Sequence, residues 1–173
     1  LGNSIYFKQK APPQTRQLRM LPSEGPAWQP TSKSVGDKSL LLLGASTGGV
    51  MAVQTVMSTM PRNCPAILIA LHLPGSFLGP FLESLRAKTE VPAIRAEGGM
   101  CLEPGKAYVA PGGMQTRLFN RRGKVFIEVE EDLSGSLYKP CINTLFESAT
   151  KVCSIYRVSA VLMTGMGSDG ATG

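Results

Sequence analysis

The sequence predicts an α/β domain with a mostly parallel sheet covered by helices and an antiparallel hairpin portion. Three observations carry this. From Ser39 onward, short apolar runs alternate with stretches of helical period, the pattern of strands connected by crossover helices. The 43% hydrophobic content against 17% charge leaves enough aliphatic side chains for one core in 173 residues. No apolar run approaches the ~20 residues of a membrane span.

Leu40–Leu43 reads as a buried strand running into Gly44-Ala-Ser-Thr-Gly-Gly. Val50, Met51, Val53, Val56 and Met57 then form a helix stripe that Pro61 ends. Ala66–Leu73 is the next strand, and Pro74-Gly75 turns the chain. Phe77, Phe81, Leu82 and Leu85 share one helical face, and Val91–Ala96 is a short third strand, completing βαβαβ. Lys106–Ala110, Met114–Phe119 and Lys124–Val129 read as strands of an antiparallel portion, with Arg122-Gly123 as a hairpin turn. A helix over Ile142–Val152 leads to a last strand, Val158–Met163, ending in Thr164-Gly-Met-Gly-Ser-Asp-Gly. The whole is a Rossmann-like, doubly wound arrangement. Such a domain rarely stops just past a strand, so a C-terminal truncation is expected.

Residues 1–38 differ in kind from the rest. They hold five of the 13 prolines and six basic residues against two acidic ones, without hydrophobic periodicity. This predicts a basic, Pro-rich linker ahead of a domain over 39–173. The basic residues are scattered and Trp28 has no aromatic neighbours, so no nucleic-acid surface is expected. Nothing at the start of the chain marks export, which predicts a cytoplasmic protein without membrane insertion. Cys64, Cys101, Cys141 and Cys153 contain no C-x-x-C pair and have one histidine to assist them, which argues for reduced, mostly buried thiols rather than a zinc site.

His72 is the only histidine, so any imidazole chemistry must use it, and it sits at the carboxyl end of the second predicted strand. Open α/β sheets place ligands at that edge. Gly44-Ala45-Ser46-Thr47-Gly48 fits G-x-S-x-G, whose small residues permit a sharp turn that presents a serine hydroxyl above the sheet. A tight connection or a phosphate loop would use the same glycines. Asp169 is one of three aspartates, and it follows an apolar strand in a glycine-rich turn. Were the three strands parallel neighbours, a hydroxyl, an imidazole and a carboxylate would reach one crevice. Serine needs a base to take its proton, and the base needs an acid to fix its tautomer.

Competing readings meet specific obstacles. The Ser, acid, His order of α/β-hydrolases fails, because no Asp or Glu lies between Ser46 and His72. The acidic residue that a dinucleotide site wants about 20 positions past its glycine loop is also missing. A non-catalytic nucleotide-binding module and an inactive scaffold stay open as alternatives.

Gly44-Ala-Ser-Thr-Gly-Gly, His72-Leu-Pro-Gly, Leu102-Glu-Pro-Gly-Lys-Ala-Tyr-Val-Ala-Pro-Gly and Leu162-Met-Thr-Gly-Met-Gly-Ser-Asp-Gly-Ala together resemble the catalytic domain of chemotaxis-type protein-glutamate methylesterases. The resemblance spans about residues 40–173. It implies Ser46 as nucleophile, His72 as general base then acid, and Asp169 as the orienting carboxylate. It also implies that Thr47 lines the site and that the Met166 amide helps form the oxyanion hole. No metal or organic cofactor is implied. The implied substrate is a glutamyl methyl ester, or a glutamine amide, on the cytoplasmic helices of a methylated chemoreceptor. A receiver domain in cis and a histidine kinase are the implied regulatory partners. One departure stands out: Lys139-Pro-Cys-Ile-Asn replaces a stretch that is often Arg-Pro-Ser-x-Asp, where different substrate contacts are expected.

Overall fold

The computed structural model describes residues 38–132 and 135–173. The predicted linker over 1–38 therefore lies, but for Lys38, outside the described residues.

Five parallel strands form the main sheet. They are β1 (Ser39–Ala45), β2 (Ala66–Leu71), β3 (Ala93–Arg95), β4 (Ala107–Val109) and a last strand (Arg157–Leu162), with the last beside β1 at one edge and β3 at the other. β5 (Gln115–Arg121) and β6 (Lys124–Glu130) make a separate antiparallel pair, so the last strand is β7 and the sheet order is β3-β4-β2-β1-β7. β1 and β2 form the middle of the sheet, and all six residues of β2 are buried. Each fully buried Leu or Ile there contributes about 1.5–3 kcal/mol of transfer free energy.

Two apolar clusters lie on the two faces of the sheet. On one, Leu43, Ile67, Ile69 and Val109 meet Val53 and Met57 of α1 (Gly49–Ser58) and Leu78, Phe81, Leu82 and Leu85 of α2 (Leu78–Arg86). On the other, Leu40, Leu42, Leu68 and Tyr108 meet Ile142, Leu145, Phe146 and Ala149 of α3 (Ile142–Ala149), together with Leu118, Val125 and Ile127 of the hairpin. The chain leaves β1 through α1 on one face and returns to β7 from α3 on the other. β1 is thus the point where the winding changes sides, and open sheets of this kind take their ligands beyond the carboxyl end of the strands at such a point.

Several sequence expectations are corrected. Lys106–Ala110 does not belong to an antiparallel portion. β4 pairs parallel with β2 and β3, in the register Ile67↔Ala107 and Ala93↔Ala107, and only β5 and β6 are antiparallel. Met51 is 75% exposed and lies outside the buried stripe, since it is roughly 200° around the helix from Val53. Phe77 is also exposed, because it ends a 3-10 turn over Gly75–Phe77 before α2 begins. The helix from Ile142 ends at Ala149, three residues earlier than expected. The four cysteines are free, yet only Cys64 is buried; Cys101 and Cys141 are half-buried and Cys153, in the turns beyond α3, is exposed. Burial pushes the Cys64 thiol above its ordinary pKa.

The predicted Arg122-Gly123 turn is present, with positive φ at both residues (54° and 76°), as a two-residue hairpin loop of matching twist requires. Phe119 and Phe126 face each other across the hairpin with ring centroids 5.6 Å apart. Among the described residues no helix is long and apolar enough to cross a membrane.

Candidate active site

Ser46 directly follows β1. Gly48, at φ 78°, makes the left-handed step that lets α1 start at the next residue, a conformation a side chain would strain. The Ser46 amide donates to the carbonyl of Thr164 (2.9 Å), which ties the turn after β1 to the turn after β7. Gly165 then lies against the serine, since a Cβ at position 165 would come within 2.7 Å of Ser46 Cβ. The Thr164 hydroxyl donates to the Thr47 carbonyl at 3.1 Å. Thr47 and Met166 are both exposed, on the two turns so joined.

His72 follows β2, and its amide donates to the carbonyl of Ala45 (3.0 Å), continuing the β1–β2 ladder by one step. Its Nδ1 is 3.0 Å from Ser46 Oγ, and its Nε2 is 2.7 Å from Asp169 Oδ2. The side chains of His72 and Asp169 are only 14% and 2% exposed. A carboxylate only accepts, so the Nε2 proton points at Asp169 and the Nδ1 lone pair is left for the serine hydroxyl. The ring is turned relative to the chymotrypsin-type triad, in which Nε2 faces the serine. Strand order explains this. β1 lies between β2 and β7, so Ser46 sits beside the backbone of His72 and meets the near nitrogen. Only the far nitrogen reaches across to the turn after β7.

Asp169 also serves as the cap of α3. It accepts from the amides of Ile142 (2.8 Å) and Asn143 (2.9 Å) and from the Cys141 thiol (3.2 Å). These amides belong to the first turn of the helix, where no intrahelical acceptor exists and the helix dipole is positive. Burial, the largest single influence, would raise the pKa of Asp169. The bonds from Asn143, Ile142, Cys141 and His72 outweigh it and hold the carboxyl below its ordinary value of 3.8. In return, Asn143 Oδ1 accepts from the amides of Gly170, Thr172 and Gly173 at 2.9–3.1 Å.

The structure thus brings Ser46, His72 and Asp169 into one hydrogen-bonded chain and places Thr47 and Met166 on the turns around it. Sequence reasoning missed the carboxylate's other partners. It singled out Lys139-Pro-Cys-Ile-Asn for substrate contacts, whereas Cys141, Ile142 and Asn143 of that segment hold Asp169. It also missed Tyr138, whose ring stacks on His72 with centroids 4.5 Å apart and planes within 3°. The one available signal was the departure of this segment from the family pattern. Among the described residues no group of three or more His, Cys, Asp or Glu side chains could hold a metal ion.

The family model for CheB methylesterase matches residues 41–173. The protein-glutamate methylesterase/protein-glutamine glutaminase 1 of Oleidesulfovibrio alaskensis is 44% identical over 137 residues, covering 79% of this chain and 37% of that protein. A protein of Halalkalibacterium halodurans with the same paired name is 39% identical over 140 residues, covering 79% of this chain and 40% of that protein. The crystal structure of the Thermotoga maritima CheB methylesterase catalytic domain superposes with a TM-score of 0.71 at 28% identity, covering 78% of this chain and 71% of that one. The chain spans about two fifths of the length of these two curated relatives.

Proposed function

Since the chain belongs to the CheB methylesterase family, we propose that it hydrolyses γ-glutamyl methyl esters, and glutamine side-chain amides, on the cytoplasmic helices of a chemoreceptor. The observation that carries this reading is the chain Ser46 Oγ, His72, Asp169 with links of 3.0 and 2.7 Å. Of the three readings the glycine turn allowed, a nucleophile turn is the one supported by a hydroxyl already facing an imidazole.

The steps follow from the atoms present. Ser46 Oγ attacks the ester carbonyl carbon while its proton passes to His72 Nδ1. The imidazolium so formed keeps its Nε2 proton directed at Asp169, whose charge stabilises it. The tetrahedral intermediate collapses, the bond to the methoxy oxygen breaks, and the Nδ1 proton leaves with methanol. A water then gives its proton to Nδ1 and attacks the acyl-enzyme, releasing the glutamate carboxylate and restoring the serine. For glutamine the leaving group is ammonia instead of methanol. Side chains and water suffice for both halves, with no step that calls for a cofactor.

Negative charge develops on the carbonyl oxygen, and the amides of Thr47 and Met166 are its proposed donors. Neither amide donates to an acceptor among the described residues. One such donor is worth about 2.7–4 kcal/mol of barrier. On this reading the protein works in the cytoplasm, under a receiver domain of the same protein that a histidine kinase phosphorylates.

The test is reaction with a serine-directed fluorophosphonate and mass mapping of the adduct, alongside methanol release from methylated receptor. Ser46 should carry the label, and Ser46→Ala should lose both label and methanol release. Labelling at another serine, or turnover by Ser46→Ala at the wild-type rate, would overturn the assignment.

A further inference from the structure

The proposed mechanism makes no use of Tyr138, yet this side chain covers one face of the base. Its ring lies parallel to the His72 imidazole with a centroid separation of 4.5 Å and an interplanar angle of 3°. The two hydrogen bonds of His72 run along the ring edge and resist small tilts of the ring only weakly, since a hydrogen bond tolerates modest angular change. A stacked ring resists that tilting. The Tyr138 hydroxyl reaches the turn that carries Met166 and Asp169, lying 2.9 Å from where a Cβ on Gly167 would stand. The aromatic ring therefore bridges the imidazole and the turn after β7.

Tyr138 is itself held from below. Gln115, only 1% exposed at the start of β5, donates through Nε2 to the Tyr138 carbonyl (2.9 Å) and accepts through Oε1 from the Cys141 amide (2.8 Å). The Lys139 carbonyl accepts from the Gly113 amide at 3.0 Å. Asp132 Oδ2 accepts from Gln115 Nε2 (3.3 Å) and from the Ser136 amide (2.9 Å). So the backbone from Tyr138 to Cys141 is pinned to the β5 entry at three points. A ring carried on so fixed a segment has little freedom to leave its stack.

We propose that Tyr138 is a positioning residue for the acyl transfer, fixing the plane of His72 so that Nδ1 faces Ser46 Oγ and stacking on the imidazolium once the proton has moved. An electron-rich ring face attracts a cation, and more strongly where water is excluded. The interaction is therefore stronger after proton transfer than before it, which is the condition for lowering a barrier rather than tightening binding. The proposal rests on the acyl-transfer reading of the site.

The experiment uses the 173-residue chain and its Tyr138→Leu and Tyr138→Phe variants, with Ser46 labelling by a fluorophosphonate followed over time and reagent concentration. Tyr138→Leu should lower the maximal labelling rate about tenfold, with the half-saturating concentration unchanged. Tyr138→Phe keeps the ring face and should stay within about twofold of wild type. A purely structural role would lower the melting temperature and leave the maximal rate of the folded fraction intact. Tyr138→Met carries the same expectation if the Leu variant does not fold. A wild-type maximal rate in the Leu or Met variant overturns the proposal, as does a Phe variant as slow as the Leu variant. A wild-type chain left unlabelled at Ser46 overturns the acyl-transfer reading, and this proposal with it.

Discussion

Asp169 and Asn143 hold each other beside His72: the carboxylate of Asp169 accepts from the Asn143 amide at 2.9 Å, and the Asn143 side-chain oxygen accepts from the Gly170 amide at 2.9 Å. The start of α3 and the turn after β7 are thus one unit. The carboxylate that faces His72 owes its position and its charge to α3 as much as to the imidazole.

Replacing Asp169 with Asn should cut kcat by about four orders of magnitude while leaving KM little changed, as loss of the orienting acid does in the serine-protease triad. Hydrolysis of an activated ester measures it. A fall of less than tenfold would mean that Asp169 does not orient the base.

The same residue makes a stability prediction with a definite sign. Its folded pKa is depressed below 3.8, so its contribution is complete well above that value and is lost as pH falls through the folded value. In urea unfolding, the stability gap between wild type and Asp169→Asn should shrink as pH falls below about 4. A gap that does not change on acidification would mean that the four hydrogen bonds to the carboxylate do not favour its charged form.

Gly165→Ala should leave the fold intact and damage the chemistry. Residue 165 is exposed, yet its Cβ would lie 2.7 Å from Ser46 Cβ, so the serine turn must move. A displacement on the order of 1 Å at a nucleophile costs about 10²-fold in rate. Unchanged fluorophosphonate labelling in this variant would show that the turn absorbs the methyl group elsewhere.

Ser148→Ala should do the reverse. Ser148 is buried in α3, and its hydroxyl accepts from the Leu118 amide of β5 at 2.9 Å while donating to the Leu145 carbonyl at 2.6 Å. Without it the Leu118 amide is left without a partner in the core, at a cost of about 1–3 kcal/mol. Denaturant unfolding should register that loss, with labelling of Ser46 at its wild-type rate. Equal midpoints for the two proteins would show that the amide finds another acceptor.

Much of this architecture was legible without coordinates, because strand and helix periods are local. The continuous apolar run at Leu40–Leu43 and the spacing of Phe81, Leu82 and Leu85 identify elements whatever the rest of the chain does. Glycines at turns are local signals too, as at Arg122-Gly123, where positive φ is demanded by the hairpin itself. The isolation of His72 and Asp169 in composition marked them as candidates, and their positions after apolar strands placed them at one edge.

Only the tertiary structure decided the rest. Whether β4 runs parallel or antiparallel depends on partners 14 and 40 residues away in its register, Ala93 and Ile67 for Ala107, and no local period encodes that. Which imidazole nitrogen meets Ser46 follows from β1 lying between β2 and β7. That Asp169 caps α3, and that Tyr138 lies flat on His72, follow from segments dozens of residues apart being packed against the same sheet edge. Periodicity reports how each segment meets water and core, whereas an active site is made of contacts between segments, whose geometry exists only once the chain has closed on itself.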